Sequence, residues 1–259
     1  MITSKKKHEK ILRDEIFFTK NKWPHFDILF NGIKKIAKIS KVKNQKVIML
    51  ERTNLYGGVS LFAPFFEKNN FTSVDCITET LLKRGGYNKK FLTNDNLIKI
   101  HSKFQFHYKN IKLKNSSADY VIIPNLLHHI EDPISLFKQV KKILKPKGSI
   151  FIFEPLVREL HQIPEDYSRF TPFGLNNMLK KLNFKNGLVT YSGGPFTCIL
   201  YYWDQAIQFI PHNKRKIFFK KFNFNNQFFI KMDKKFKKNL VRKNSSAPVS
   251  FSIMSQLKK

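Results

Sequence analysis

Between Glu154 and Thr171 the chain carries Glu154, His161, Glu165, Asp166 and Arg169, an imidazole and a guanidinium among carboxylates. His161 or Asp166 can serve as general base toward a hydroxyl, and Arg169 can orient an acidic or sugar group through its planar fork of donors. The same residues also suit structural work: Asp166 and Arg169 can pair to hold a loop, and Thr171 ahead of Pro172 reads as a helix cap. No motif of the GxSxG kind arranges a nucleophile with a base, so hydrolase chemistry has no support. Cys76 and Cys198 are far apart and belong to no Cys/His cluster at ligand spacing, so no metal is implied.

The elements that must position these residues alternate. Apolar residues spaced by three and four between Ile11 and Ile39 predict helices, and residues 1–45 form an N-terminal helical extension. Val47-Ile48-Met49-Leu50 reads as a strand buried on both faces, followed by a loop to Gly58 and a helix-like stretch over 59–68. Phe71-Thr72-Ser73-Val74-Asp75 is a second strand ending in a carboxylate. Further strands are expected at 104–108, 118–123, 149–153, 188–191 and 248–256, with helices opening at Asp132-Pro133 and Thr171-Pro172. Such alternation means an α/β domain, here residues 46–259, built on a mostly parallel sheet with helices on both faces. A basic, aromatic segment at about 199–243 interrupts the alternation as a helical insertion before the last strand.

Ala118-Asp119-Tyr120-Val121, then Leu127-His128-His129-Ile130-Glu131-Asp132-Pro133, then Leu144-Lys145-Pro146-Lys147-Gly148, resembles the "fDvV…vleHi.dp…LkpgG" string of class I S-adenosylmethionine-dependent methyltransferases of the type 11 group. The segment from His161 to Leu175 resembles the "H…pDy.R.T..gl" stretch of the same relatives. The resemblance implies a Rossmann-like sheet of seven strands with a cofactor cleft at their carboxyl ends. It places the methionine part of S-adenosyl-L-methionine against the loop from Glu51 to Gly58, including Asn54 and Gly57. Asp75 would meet the ribose hydroxyls, Asn110 and Ile111 the adenine, and Pro124 and Asn125 the transferable methyl. It also places His161, Asp166 and Arg169 where the acceptor enters. His129 matches a family histidine that packs between helix and sheet; His128 is expected at the surface, and neither is expected to be catalytic.

The resemblance departs at the first loop, whose glycines stand only at its end where relatives carry GxGxG. Two function classes follow. One is a methyltransferase acting on a small-molecule, lipid-linked or surface-glycan hydroxyl, or alternatively on nucleic acid. The other is a non-catalytic binding protein on the same fold.

The net charge of +30 comes from 48 Lys and Arg against 18 Asp and Glu, but only seven of the 48 are Arg and the chain also holds 27 Phe. Lys and Phe belong to A/T-rich codons, so the excess reads as compositional drift more than as a polyanion surface. If the charge has a partner, an anionic membrane or nucleic acid contacting residues 212–243 is the expectation. Met1 to Arg13 lacks the apolar run of a secretory signal, and no segment is long and apolar enough to span a bilayer, so a cytoplasmic protein is expected, with peripheral contact at the inner face of the membrane as an option.

Overall fold

The computed structural model describes residues 2–17, 19, 23–77, 96–215, 226–236 and 247–258. Seven strands form one sheet: β1 (Val47–Glu51), β2 (Phe71–Ile77), β3 (Phe104–His107), β4 (Ala118–Pro124), β5 (Leu144–Pro155), β6 (Leu188–Ser192) and β7 (Ser250–Gln256). Their order is β3-β2-β1-β4-β5-β7-β6. Pairings from β3 to β5 are parallel, and β7 runs antiparallel between β5 and β6.

Both faces of the sheet are covered. β1 is buried throughout, and the period of two along a strand divides its side chains between two cores. Ile48 and Leu50 pack on the side of α3 (Pro133–Ile143) and α4 (Pro172–Lys181), with Leu136, Phe137, Val140, Leu175 and Leu179. Val47 and Met49 face α1 (Ile2–Ile11) and α2 (Asp27–Val42), where Phe30, Ile33 and Ile36 recur at helical spacing. The N-terminal helices therefore roof one face of the sheet. Gly32 allows this close approach: a Cβ there would lie 2.2 Å from the ring of Phe151 on β5.

The caps follow the local sequence. Asp132 Oδ1 accepts the Ser135 amide at 3.0 Å ahead of α3, and Thr171 Oγ1 accepts the Gly174 amide at 3.1 Å ahead of α4. Residues 59–68 depart from the expected helix and form short 3-10 turns at Ala63–Phe65 and Lys68–Asn70. Val59, Leu61, Phe62, Ala63 and Phe66 are all buried, leaving no polar face for an amphipathic helix, and Pro64 cannot donate in a ladder.

Between β6 and β7 lie α5 (Pro195–Gln208) and α6 (Asn226–Phe236). Asp233 of α6 accepts the Phe196 and Thr197 amides at 3.1 and 2.8 Å, capping α5 from outside its own segment. Residues 216–225 and 237–246 of the basic, aromatic segment lie outside the described residues. Among the described residues no helix is long and apolar enough to cross a membrane.

Candidate functional site

At the carboxyl ends of β1 and β4 a cleft of about 310 Å³ opens. Glu51, Arg52, Pro124 and Asn125 form its strand-tip wall, Phe17, Trp23 and Tyr56 an aromatic wall, and His129, Arg158 and Gln162 its far end. A cleft outside the strand tips is where open α/β sheets bind ligands.

Glu51 closes β1 with its carboxyl group buried. Burial pushes its pKa up to about 7, against hydrogen bonds from Ser60 and Ser73 that favour the anion. Ser73 Oγ donates to Glu51 Oε1 at 2.7 Å, and a run of hydroxyls continues through Ser102 Oγ, 2.6 Å away, to Thr53 Oγ1. Asp75 lies on β2 beside Glu51 in register. Its Oδ1 accepts the Thr53 and Asn54 amides at 2.8 and 3.2 Å, and its Oδ2 accepts Gln105 Nε2 at 3.0 Å. Asp75 thus anchors the first loop, which turns through Thr53–Tyr56 and leaves through Gly57 and Gly58 at φ 62° and 82°. Asn125 also adopts a positive φ, 56°, and its Oδ1 has no hydrogen-bond partner among the described residues, as is true of Asn54 Oδ1. Pro124 lines the cleft, Asn110 is exposed, and Ile111 is buried in the core with Cys76 and Tyr108.

The segment after β5 folds over the other end. Arg169 grips Asp166 with both terminal nitrogens, at 2.5 and 2.7 Å, and the Asp166 carboxylate also accepts the His161 amide at 3.0 Å. Burial would raise the Asp166 pKa, yet the Arg169 bonds outweigh it and hold the group well below the usual carboxylate range. That geometry is loop-holding and makes Asp166 a poor proton acceptor. Arg52 Nη2 reaches Glu165 Oε2 at 3.2 Å, both side chains buried, and so links the two loops across the cleft.

His128 is fully buried, which corrects the expectation of a surface position. The reason is Glu154 at the tip of β5: its Oε1 accepts the Leu126 and Leu127 amides at 2.9 and 2.7 Å, and its Oε2 meets His128 Nδ1 at 2.6 Å, folding the chain after β4 inward. Burial raises the Glu154 pKa to about 8 and holds that of His128 well below its ordinary value. His129 is buried beside it, with Nδ1 2.5 Å from the Glu165 carbonyl, and His161 Nδ1 is 3.1 Å from the Glu159 carbonyl. Burial lowers both, His161 to about 4, so both rings are neutral at pH 7. The three rings gather with centroids 3.9–5.2 Å apart.

The resemblance gave His161 a role at the acceptor and assigned no chemistry to His128, His129, Glu154 or Glu165. A signal was available: β4 and β5 pair side by side, so His128 just beyond the tip of one and Glu154 at the tip of the other are brought together by the sheet.

Residues 22–189 match a family described as "Methyltransferase domain". Among curated proteins, "Probable polyketide synthase 10" of Dictyostelium discoideum is 28% identical over 146 residues, 51% of this chain. The alignment takes in only 6% of that much longer protein. Among solved structures, a SAM dependent methyltransferase from Archaeoglobus fulgidus is similar at 13% identity, over 87% of this chain and 93% of the other, with a TM-score of 0.46. Haemonchus contortus phosphoethanolamine N-methyltransferase 2, in complex with S-adenosyl-L-methionine, is similar at 17% identity over 83% of this chain and 49% of that one, TM-score 0.44.

Proposed function

Because this chain belongs to the methyltransferase domain family of class I S-adenosylmethionine-dependent enzymes, we propose that it methylates a hydroxyl of a small-molecule, lipid-linked or surface-glycan acceptor held in the cleft between the first loop and the 161–170 segment. The observation that carries this reading is the make-up of that cleft, which has a partnerless acceptor oxygen at the strand tips, an aromatic wall, and the neutral imidazole of His129 at the far end.

The residues present fit the cofactor at its amino-acid end. Glu51 and the Oδ1 of Asn125 offer acceptors to an ammonium, and the partnerless Asn125 oxygen is the kind of buried atom a ligand satisfies. Asp75 fits less generously. An ionised carboxylate has about four acceptor positions, and the loop amides and Gln105 take three of them, leaving room for a single ribose hydroxyl. Asn54, Gly57 and Gly58 shape the turn beside it, Pro124 floors the cleft, and Asn110 and Ile111 follow β3.

S-adenosyl-L-methionine supplies, when bound, an electrophilic methyl on a sulfonium. The chain's own contribution is alignment and exclusion of water. Trp23, Phe17 and Tyr56 wall the acceptor from solvent, Arg169 and Asp166 hold the segment over it, and the Nε2 lone pair of His129, which lines the cleft, accepts the hydrogen of the acceptor hydroxyl.

Calorimetry with S-adenosylhomocysteine, followed by methyl transfer from radiolabelled cofactor to free sugars, lipid-linked sugars and RNA, tests the proposal. Binding together with transfer to a hydroxyl of the sugar acceptors is expected, and transfer to RNA alone would overturn the acceptor class. A second reading, a binding protein without catalysis, is favoured by one observation, the occupation of Asp75 by its own loop. A folded protein with no affinity for the cofactor product would establish it.

A further inference from the structure

His128, His129 and His161 are all buried, and one ring nitrogen of each lies within 4.8 Å of the others. The hydrogen-bond pattern identifies which nitrogen of each ring is left for a ligand. His129 Nδ1 and His161 Nδ1 each face a backbone carbonyl, which can only accept, so in the neutral ring Nδ1 carries the hydrogen and Nε2 carries the lone pair. His128 Nδ1 meets the Glu154 carboxyl at 2.6 Å, so Nε2 is the ring nitrogen left over for a ligand. The Nε2 atoms of His128 and His161 have no partner among the described residues, although both are buried. Buried ring nitrogens left without a partner in one cluster mark an ordered water or an ion.

We propose that His128, His129 and His161 bind one divalent late first-row cation through their Nε2 atoms, with zinc as the reference ion and an open coordination position toward the cleft. Each ligand has the outer partner that metal-bound imidazoles have, a carboxyl group or a carbonyl on the other ring nitrogen, which fixes tautomer and orientation. Tetrahedral coordination with Zn–N near 2.0–2.1 Å places ligand nitrogens about 3.4 Å apart, so side-chain rotations of about 1 Å close the set. An all-imidazole set suits zinc, cobalt, nickel or copper and not magnesium or calcium, which take oxygen ligands. Arg52, Arg158 and Arg169 also face the cluster. Their charge is opposed by Glu165 on Arg52, Glu159 beside Arg158, and Asp166 on Arg169. His129 lines the cleft with Gln162 and Asn125, so an exogenous oxygen can complete the coordination from that side. With the cation in place, an acceptor hydroxyl meets the cation and not a ring nitrogen. The cation site itself stands on geometry and does not require the methyl-transfer reading.

The test uses the untagged full chain, stripped with a chelator, dialysed and titrated with Co²⁺. One equivalent is expected to bind with the intense visible bands of low-coordinate cobalt, and Zn²⁺ is expected to bleach them. His161→Gln is expected to abolish the bands, and Glu154→Gln, which changes only an outer partner, to weaken cobalt binding about 10–100-fold. His212→Gln, on the exposed surface, is expected to leave them unchanged. A folded wild-type chain that binds neither ion, or a His161→Gln variant that binds cobalt as the wild type does, overturns the proposal. Calorimetry with S-adenosylhomocysteine on the same samples separates the two readings. Cofactor binding without cobalt binding removes the cation alone, and cobalt binding without cofactor binding removes the enzyme reading alone.

Discussion

Arg52, the first residue after β1, forms a buried ion pair with Glu165 in the segment after β5, at 3.2 Å with each side chain 3% exposed. This pair joins the loop after β1 to the segment after β5. Removing one partner of such a pair strands the other charge in a desolvated place, so Glu165→Gln is expected to lower stability by about 3–5 kcal/mol in urea denaturation. Replacing both, Arg52→Met with Glu165→Leu, should recover most of the loss, because the desolvation cost disappears with the charges. A single variant as stable as wild type would show that the pair does not hold the loops.

Glu51 predicts two opposed pH dependences. Its folded pKa is raised from 4.5 to about 7 by burial, so the folded chain binds more protons than the unfolded chain between those values. The stabilisation is complete below about pH 4.5 and is lost as pH rises through about 7. On the proposed placement of the cofactor, its binding runs the other way, since an ionised Glu51 would attract the ammonium. Affinity should therefore increase from about pH 6 to about pH 8. Glu51→Gln should flatten the Glu51 share of both curves, read by chemical denaturation and calorimetry against wild type. An affinity that falls with pH, or that Glu51→Gln leaves unaltered, removes Glu51 from the cofactor site.

Asp75 holds the first loop through backbone amides, and the type of replacement should therefore matter. Asp75→Ala leaves the Thr53 and Asn54 amides without their acceptor and is expected to cost about 1–3 kcal/mol. Asp75→Asn keeps one amide oxygen for those donors, and the Gln105 amide can rotate to present its own oxygen, so the cost should be smaller. Thermal melts of the two variants check the order. Equal losses would mean that the carboxylate charge, and not the amide contacts, is what the loop requires.

Gly32→Ala should loosen α2 from the sheet, even though alanine favours helix, because the added Cβ meets the Phe151 ring. A loss of about 1–3 kcal/mol is expected from overpacking. Phe151→Leu in the same chain should return part of it, and denaturation of the single and double variants measures the coupling.

The sheet was readable because its strands carry the pattern of their burial: Val47 to Leu50 and Tyr120 to Ile123 are continuous apolar runs, as strands covered on both faces must be. The caps at Asp132 and Thr171 were readable for the same local reason. Residues 59–68 misled, since an apolar run interrupted by Pro64 has no amphipathic period from which to choose between helix and irregular turn. The carboxyl-end residues Glu51, Asp75 and Asn125 could be placed by resemblance, but not that Asp75 spends three of its acceptor positions on its own chain. His128 looked like a surface residue because the partner that draws it inward, Glu154, is far along the chain and adjacent only once β4 and β5 are paired. Long-range proximity of this kind leaves no periodic trace in a single sequence.

β7 pairs with both β5 and β6, yet it follows α5 and α6 in the chain. A ribosome therefore releases β5 and β6 well before the strand that lies between them. Until Ser250–Gln256 has emerged, β5 and β6 each present a bare edge of backbone donors and acceptors. During that interval of synthesis the nascent polypeptide is most open to chaperones and to association with other nascent chains.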